Sequence, residues 1–104
     1  MVKIVAVCAC AMGLAHTFIA AEAIEQTAID LGYEVKVETQ GADGITNKLS
    51  INEINSADII IHATSVIIEE MNRFSGKEVY EVDLHELVIE TENTMQSIID
   101  DWNS

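Results

Sequence analysis

The feature that most constrains this chain is its first segment. Residues 2–8 (VKIVAVC) form a near-continuous apolar run that begins one residue from the start. A strand that is apolar on both faces must be covered on both faces, which is the condition of a parallel sheet with helices above and below it. The pattern that follows fits. Residues 17–31 repeat apolar groups at Phe18, Ala21, Ile24, Ala28 and Leu31, with Glu22, Glu25, Gln26 and Asp30 on the other side. This spacing predicts an amphipathic helix, closed by Gly32.

Residues 33–39 (YEVKVET) alternate, which predicts a more exposed edge strand, and residues 41–49 (GADGITNKL) read as loop. Ser50 and Glu53 have capping-box spacing, so a short helix is expected from there to about Ala57. Residues 58–63 (DIIIHA) read as a third strand, 66–74 as a short helix ending before Gly76, and 78–82 (EVYEV) as a fourth strand. Asp83, with Glu86 three residues on, should cap one last helix reaching toward Trp102. The expected fold is therefore α/β, a three-layer α/β/α Rossmann-like domain of order βαβαβαβα. Its sheet has four parallel strands in the order 2-1-3-4, with right-handed crossovers. The strand order comes from the general rule for doubly wound sheets. It places a switch point at the carboxyl ends of strands 1 and 3, where ligands bind.

Composition removes other classes. The 104 residues are one domain's worth, and 49% hydrophobic with 22% charged residues is globular rather than disordered. No apolar stretch approaches the length of a spanning helix, and Met1-Val2-Lys3-Ile4 reads as the start of a strand rather than as a signal peptide. A formal charge of -13 repels phosphate backbones and anionic lipid, so no nucleic acid is expected as a partner. Residues 81–104 carry seven acidic groups and no Lys or Arg, read as a solvated helix face. Two cysteines two residues apart are too few and too close for a disulfide framework, which fits a reducing, cytoplasmic setting.

The candidate site is the segment joining strand 1 to helix 1: Cys10, then Ala11, Met12, Gly13, Leu14, Ala15, His16 and Thr17. A cysteine here meets free backbone N–H groups and the positive end of the helix dipole, which favour thiolate and lower its pKa. Gly13 lets the backbone approach an anion closely, and the small Ala11 and Ala15 help for the same reason. Donors wrapped around a sulfur also cradle three phosphoryl oxygens, so the loop points to a phosphocysteine. The alternative reading is a buried, inert cysteine. Cysteine phosphatases place Arg and then Ser or Thr after five intervening residues. Here His16 and Thr17 follow, and without a guanidinium fork a carrier fits better than a hydrolase.

The run AVCACAMGLAHTFIAAEAI, followed by VKVETQG, ADIII and RFSGKEVYEV, resembles the enzyme IIB domain of the bacterial phosphoenolpyruvate-dependent sugar phosphotransferase system, in its fructose-type branch. The resemblance covers essentially the whole chain, read as a single domain over 1–104. It puts the family's phosphorylated cysteine on Cys10. It implies a phosphotransferase that takes the group from a phosphohistidine of enzyme IIA and passes it to a sugar held by the membrane-embedded enzyme IIC. The domain would then be cytoplasmic, associated with the inner face of the membrane through enzyme IIC, and monomeric when isolated. No cofactor and no metal is expected. The family usually has Pro-Thr where this chain has Ala11-Met12, which frees the loop and removes a hydroxyl.

The remaining residues are read as follows. Cys8 is expected in the core of strand 1, pointing away from Cys10. A metal site of Cys8, Cys10 and His16 would need a fourth ligand and convergence from opposite faces. His16 holds the loop or donates to phosphoryl oxygens. Thr39 and Gln40 end strand 2 near the switch point, and Thr64 and Ser65 follow strand 3 beside it; these four are secondary candidates. His62 is read as a satisfied buried histidine, His85 as solvent-facing, and Arg73 as a surface partner of Glu69 or Glu70. Two other functions stay open on the residues alone: a low-molecular-weight cysteine phosphatase or arsenate-reductase-like enzyme, and a non-catalytic regulatory binding domain.

Overall fold

In the computed structural model, which describes residues 1–10, 14–41 and 44–104, one sheet carries the molecule. The elements are β1 (Lys3–Ala9), α1 (Leu14–Asp30), β2 (Glu34–Gly41), β3 (Gly44–Thr46), α2 (Ile51–Ser56), β4 (Ile59–Thr64), a 3-10 turn (Met71–Phe74), β5 (Tyr80–Asp83), α3 (Leu84–Ile89) and α4 (Thr91–Asn103). The sheet order is β3-β2-β1-β4-β5. Its four parallel strands stand in the expected order, with β1 between β2 and β4. The class expected from the sequence is the one found.

The fifth strand corrects the reading of 41–49 as loop. β3 pairs antiparallel with the end of β2, Thr39 opposite Thr46 and Gly41 opposite Gly44. Gly44 sits at φ 101, a backbone region that glycine alone enters cheaply. The Gly41-Ala42-Asp43-Gly44 run was the available turn signal in the sequence. With β3 beside it, β2 is not the exposed edge that its alternation suggested. Val37, Glu38, Thr39 and Gln40 are all buried.

Two apolar layers flank the sheet. On one face Ile4, Ala6 and Cys8 of β1, and Cys10 just after it, pack with Ala20, Ala21, Ile24 and Ala28 of α1, Leu84 and Leu87 of α3, and Met95, Ile98 and Ile99 of α4. On the other, Val5, Val7 and Ala9 pack with Ile54 of α2 and with Leu49, Ile68 and Phe74. The two cysteines therefore share a face, against expectation. Side chains two apart on a strand return to the same side.

Local chemistry sets the ends. The Ser50 hydroxyl accepts from the Glu53 N–H while the Glu53 carboxylate accepts from the Ser50 N–H, the expected capping box. Asp83 accepts from the N–H groups of His85 and Glu86, as expected of a cap. Gly32 at φ 77 closes α1, with the Tyr33 N–H donating to the Ala28 carbonyl. The α1 stripe is narrower than expected, because Phe18 and Leu31 lie exposed at its two ends.

Two helical readings are corrected. Residues 66–74 hold no α-helix, only a 3-10 turn at Met71–Phe74, because Glu70 takes the left-handed conformation at φ 56, ψ 39. The run Val66-Ile67-Ile68 is β-branched and resists a helix. The last helix is two: Glu90, at φ -122, ψ 48, ends α3 and begins α4. The Thr91 hydroxyl donates back to the Leu87 carbonyl at the break.

Candidate active site

The central strand β1 delivers Cys10 to the carboxyl edge of the sheet. Its last ladder residue, Ala9, lies between Gln40 of β2 and Thr64 of β4. The Ala9 carbonyl accepts from the Ser65 N–H at 3.0 Å, which ties the start of the segment after β4 to the residue before Cys10. Cys10 is 6% exposed. It borders an open cleft of about 280 Å³ with Ala9, Gln40, Gly41, Val66, Ile67 and Glu69. This is the switch point, between the ends of strands whose crossovers go opposite ways.

The far wall of that cleft is held by a polar lock on the β2 side. Gln40 accepts from the Glu69 N–H at 2.7 Å and donates to the Glu69 carbonyl at 3.0 Å, so it holds the backbone of the 65–70 segment as a strand neighbour would. Its amide also donates to Glu38 at 2.8 Å. Glu38, with no solvent exposure, takes the Arg73 guanidinium on both oxygens at 2.7 and 2.9 Å and the Leu49 N–H at 2.7 Å. Arg73 further donates to the carbonyls of Leu49 and Glu70. Burial pushes the Glu38 carboxyl up, but Arg73, Gln40 and the Leu49 amide together outweigh it and hold it below its ordinary value. The expected surface pair of Arg73 with Glu69 or Glu70 is thus wrong. The planar fork instead satisfies a buried carboxylate across the sheet.

Thr17 and His16 approach from α1. Thr17 has no solvent exposure, and its Oγ1 has no hydrogen-bond partner among the described residues. A buried hydroxyl left unpaired is rare. His16 is exposed, its ring 5.2 Å from that of His85 at the start of α3.

Comparison with known proteins places the chain in a family. A family model described as "PTS system, Lactose/Cellobiose specific IIB subunit" matches residues 5–97. The chain is 54% identical over 86 residues to "PTS system fructose-like EIIB component 1" of Escherichia coli (strain K12), covering 83% of this chain and 80% of that one. The chain belongs to the phosphotransferase-system IIB family. Among solved structures it is similar to a domain of a fructose-specific IIABC component from Borrelia burgdorferi, with a TM-score of 0.86 and 45% identity over 95% of this chain and 94% of that one. It is also similar to a predicted fructose-specific IIB from Escherichia coli, with a TM-score of 0.93 and 30% identity over 100% and 92% of the two chains. A phosphotransferase role within a sugar phosphotransferase system follows from membership.

Within this IIB fold the sequence candidates separate by place. Cys10 and His16 come together at the β1–α1 junction, the sulfur and a ring nitrogen within 4.8 Å, while Ala15 and Thr17 lie beside His16 in the first turn of α1, Ala15 exposed and Thr17 buried. The readings placed on Ala11, Met12 and Gly13, and on the Leu14 side chain, lie outside the described residues. Gln40 lines the Cys10 cleft, whereas Thr39 faces a separate groove of about 390 Å³ with Phe18, Ala21, Glu22 and Glu25. Thr64 ends β4 and the exposed Ser65 follows it, and neither lines the Cys10 cleft.

Cys8 is buried in the core as expected, paired between Thr39 and Ala63, and burial pushes its thiol up to about 12. That removes it as a nucleophile. His62 is buried, but it is not the satisfied histidine expected: its Nε2 has no partner among the described residues, and its ring meets Phe74 edge-on at 4.4 Å. Burial lowers its pKa and keeps it neutral. Among the described residues, no helix is long and apolar enough to cross a membrane.

Proposed function

We propose that this IIB chain carries a phosphoryl group on Cys10. The Cys10 thiolate attacks the phosphorus of a phosphohistidine on enzyme IIA, forming a P–S bond as the P–N bond breaks and the histidine leaves with the electron pair. A sugar hydroxyl held by enzyme IIC then attacks the same phosphorus. The P–O bond forms, the P–S bond breaks and the thiolate is regenerated, while the hydroxyl proton passes to a base on the IIC side. The single observation behind this is Cys10 itself, carried by the central strand to the switch-point cleft directly ahead of α1. Catalysis is then positioning and electrostatic stabilisation at a helix N-terminus. The Thr17 hydroxyl, buried in the first turn of α1 and without a hydrogen-bond partner among the described residues, supports the reading as a donor available to phosphoryl oxygens.

Arg73 speaks against the phosphatase alternative. It is the chain's only arginine, and its fork is closed on Glu38. The sugar is fructose or a fructose-like one, on the strength of the names of the relatives above. The 104 residues act as one IIB domain. In the cell it is cytoplasmic, meeting enzyme IIC at the inner face of the membrane, and it is monomeric when isolated. Phosphorus NMR after incubation with phosphorylated enzyme IIA tests the step. A signal of S-phosphocysteine, with negligible phosphate release from an aryl phosphate, is the expected result. Rapid turnover of the aryl phosphate would favour the hydrolase instead.

A further inference from the structure

Cys10, His16 and His85 come from three elements and meet at one place. The sulfur and a ring nitrogen of each histidine all lie within 4.8 Å of one another. His85 was expected to face solvent, and it does, but the start of α3 also sets it against His16. A tetrahedral zinc site, with Zn–S about 2.3 Å and Zn–N about 2.0–2.1 Å, holds its ligand atoms roughly 3.3–3.8 Å apart. Closing this cluster takes a movement on the order of an ångström. Both imidazoles are exposed and can supply it by side-chain rotation, while the buried Cys10 stays where it is. The Asp83 carboxylate, which caps α3, lies 3.9 Å from His85 Nδ1, the kind of outer partner that orients a histidine ligand. One sulfur and two imidazoles suit a borderline-soft cation, with solvent in the fourth position. The N-terminal ends of α1 and α3 oppose a positive charge here, but that effect is small beside three coordinate bonds.

We propose that Cys10, His16 and His85 form a Zn²⁺ site in which the metal and the phosphoryl group exclude each other. As the S–Zn bond forms, the Cys10 thiol gives its proton to solvent, neutral imidazoles replace two waters of the hydrated ion, and nothing is oxidised or reduced. Only the mutual exclusion rests on the phosphocysteine reading; the metal site stands on the donor geometry.

The test is titration of the reduced, metal-free protein with Co²⁺ as a spectroscopic probe, followed by displacement with Zn²⁺. The expected result is one equivalent bound with a thiolate-to-Co²⁺ charge-transfer band. That band is abolished in Cys10→Ala and kept in Cys8→Ala. His85→Gln and His16→Gln should each weaken binding at least about tenfold, the scale on which loss of even an outer-shell partner weakens a metal site. Circular dichroism checks that each variant is folded. No band at millimolar Co²⁺, or a band of unchanged affinity in His85→Gln, overturns the site. In the same preparations, the ratio of Cys10 phosphorylation with and without Zn²⁺ should fall in the wild type and recover in His85→Gln. Metal uptake by a protein that accepts no phosphoryl group supports the site and defeats the carrier reading. Phosphoryl acceptance without metal uptake does the reverse.

Discussion

Arg73 and Glu38 are the residues on which the site's scaffold depends. Their contact is bidentate, buried on both sides, and joins β2 to the segment after β4. Removing one member leaves a buried charge without its partner, so Arg73→Ala should destabilise the protein by about 3–5 kcal/mol in urea unfolding. Thr17→Val should behave in the opposite way. It deletes a buried hydroxyl that has no hydrogen-bond partner among the described residues and leaves stability equal or higher, while phosphoryl acceptance slows.

Acid stability follows from the same groups. Glu38 and Glu53 both have folded pKa values below their ordinary ones. For Glu53 the bonds from Lys36 and the Ser50 N–H bring it to about 2. A depressed carboxyl stabilises the fold above its unfolded pKa, about 4.3, and that contribution is lost as pH falls through the folded value. The buried His62 has the same sign, with loss beginning below its unfolded pKa of about 6.5, because only the unfolded chain takes up the proton readily. The unfolding midpoint should therefore fall from neutral pH to about pH 2, and Glu38→Gln should flatten its carboxylate part. None of the Arg73 role was legible in the sequence. Glu69 and Glu70 stand within one turn of Arg73, whereas Glu38 is 35 positions away and reaches it only through the fold.

At the scale of elements, legibility tracked local chemistry. The Ser50–Glu53 box, the Asp83 cap and the Gly32 stop are carried by adjacent residues, and each stands where the sequence put it. Ser50→Ala should cost about 1 kcal/mol, read as a lower thermal midpoint. What escaped was decided across the sheet. The 65–70 segment gives the Glu69 N–H and carbonyl to the Gln40 side chain rather than to a helix. Gln40→Ala should loosen that wall, seen as faster amide exchange over residues 66–70 than in the wild type. The strand β3 was within reach of the sequence through the turn signal of residues 41–44, and the common face of Cys8 and Cys10 through strand period alone. Cys10 was legible as a candidate because a cysteine between a central strand and the first helix is placed by topology. The convergence of His85 was not, because it depends on where α3 begins after β5.

For the whole molecule, the charge of -13 and a phosphate-handling site are compatible, since a helix end and backbone amides act within a few ångströms while net charge is screened over about 8 Å at physiological salt. The cleft's rim is apolar: Ile67, 95% exposed, lines it with Cys10, and Val66 stands next to it. Ile67→Asp should leave stability within about 0.5 kcal/mol of the wild type, as expected of a surface change. It should also slow transfer from enzyme IIA, measured as the rate of protein phosphorylation at limiting donor. The measurement that goes straight to the central claim is the intact mass of wild type, Cys10→Ala and Cys8→Ala after incubation with phosphoenolpyruvate, enzyme I, the histidine carrier protein and enzyme IIA. The account predicts one phosphoryl increment on wild type and Cys8→Ala and none on Cys10→Ala. An increment that survives in Cys10→Ala, or no increment on wild type with enzyme IIA phosphorylated, would contradict it.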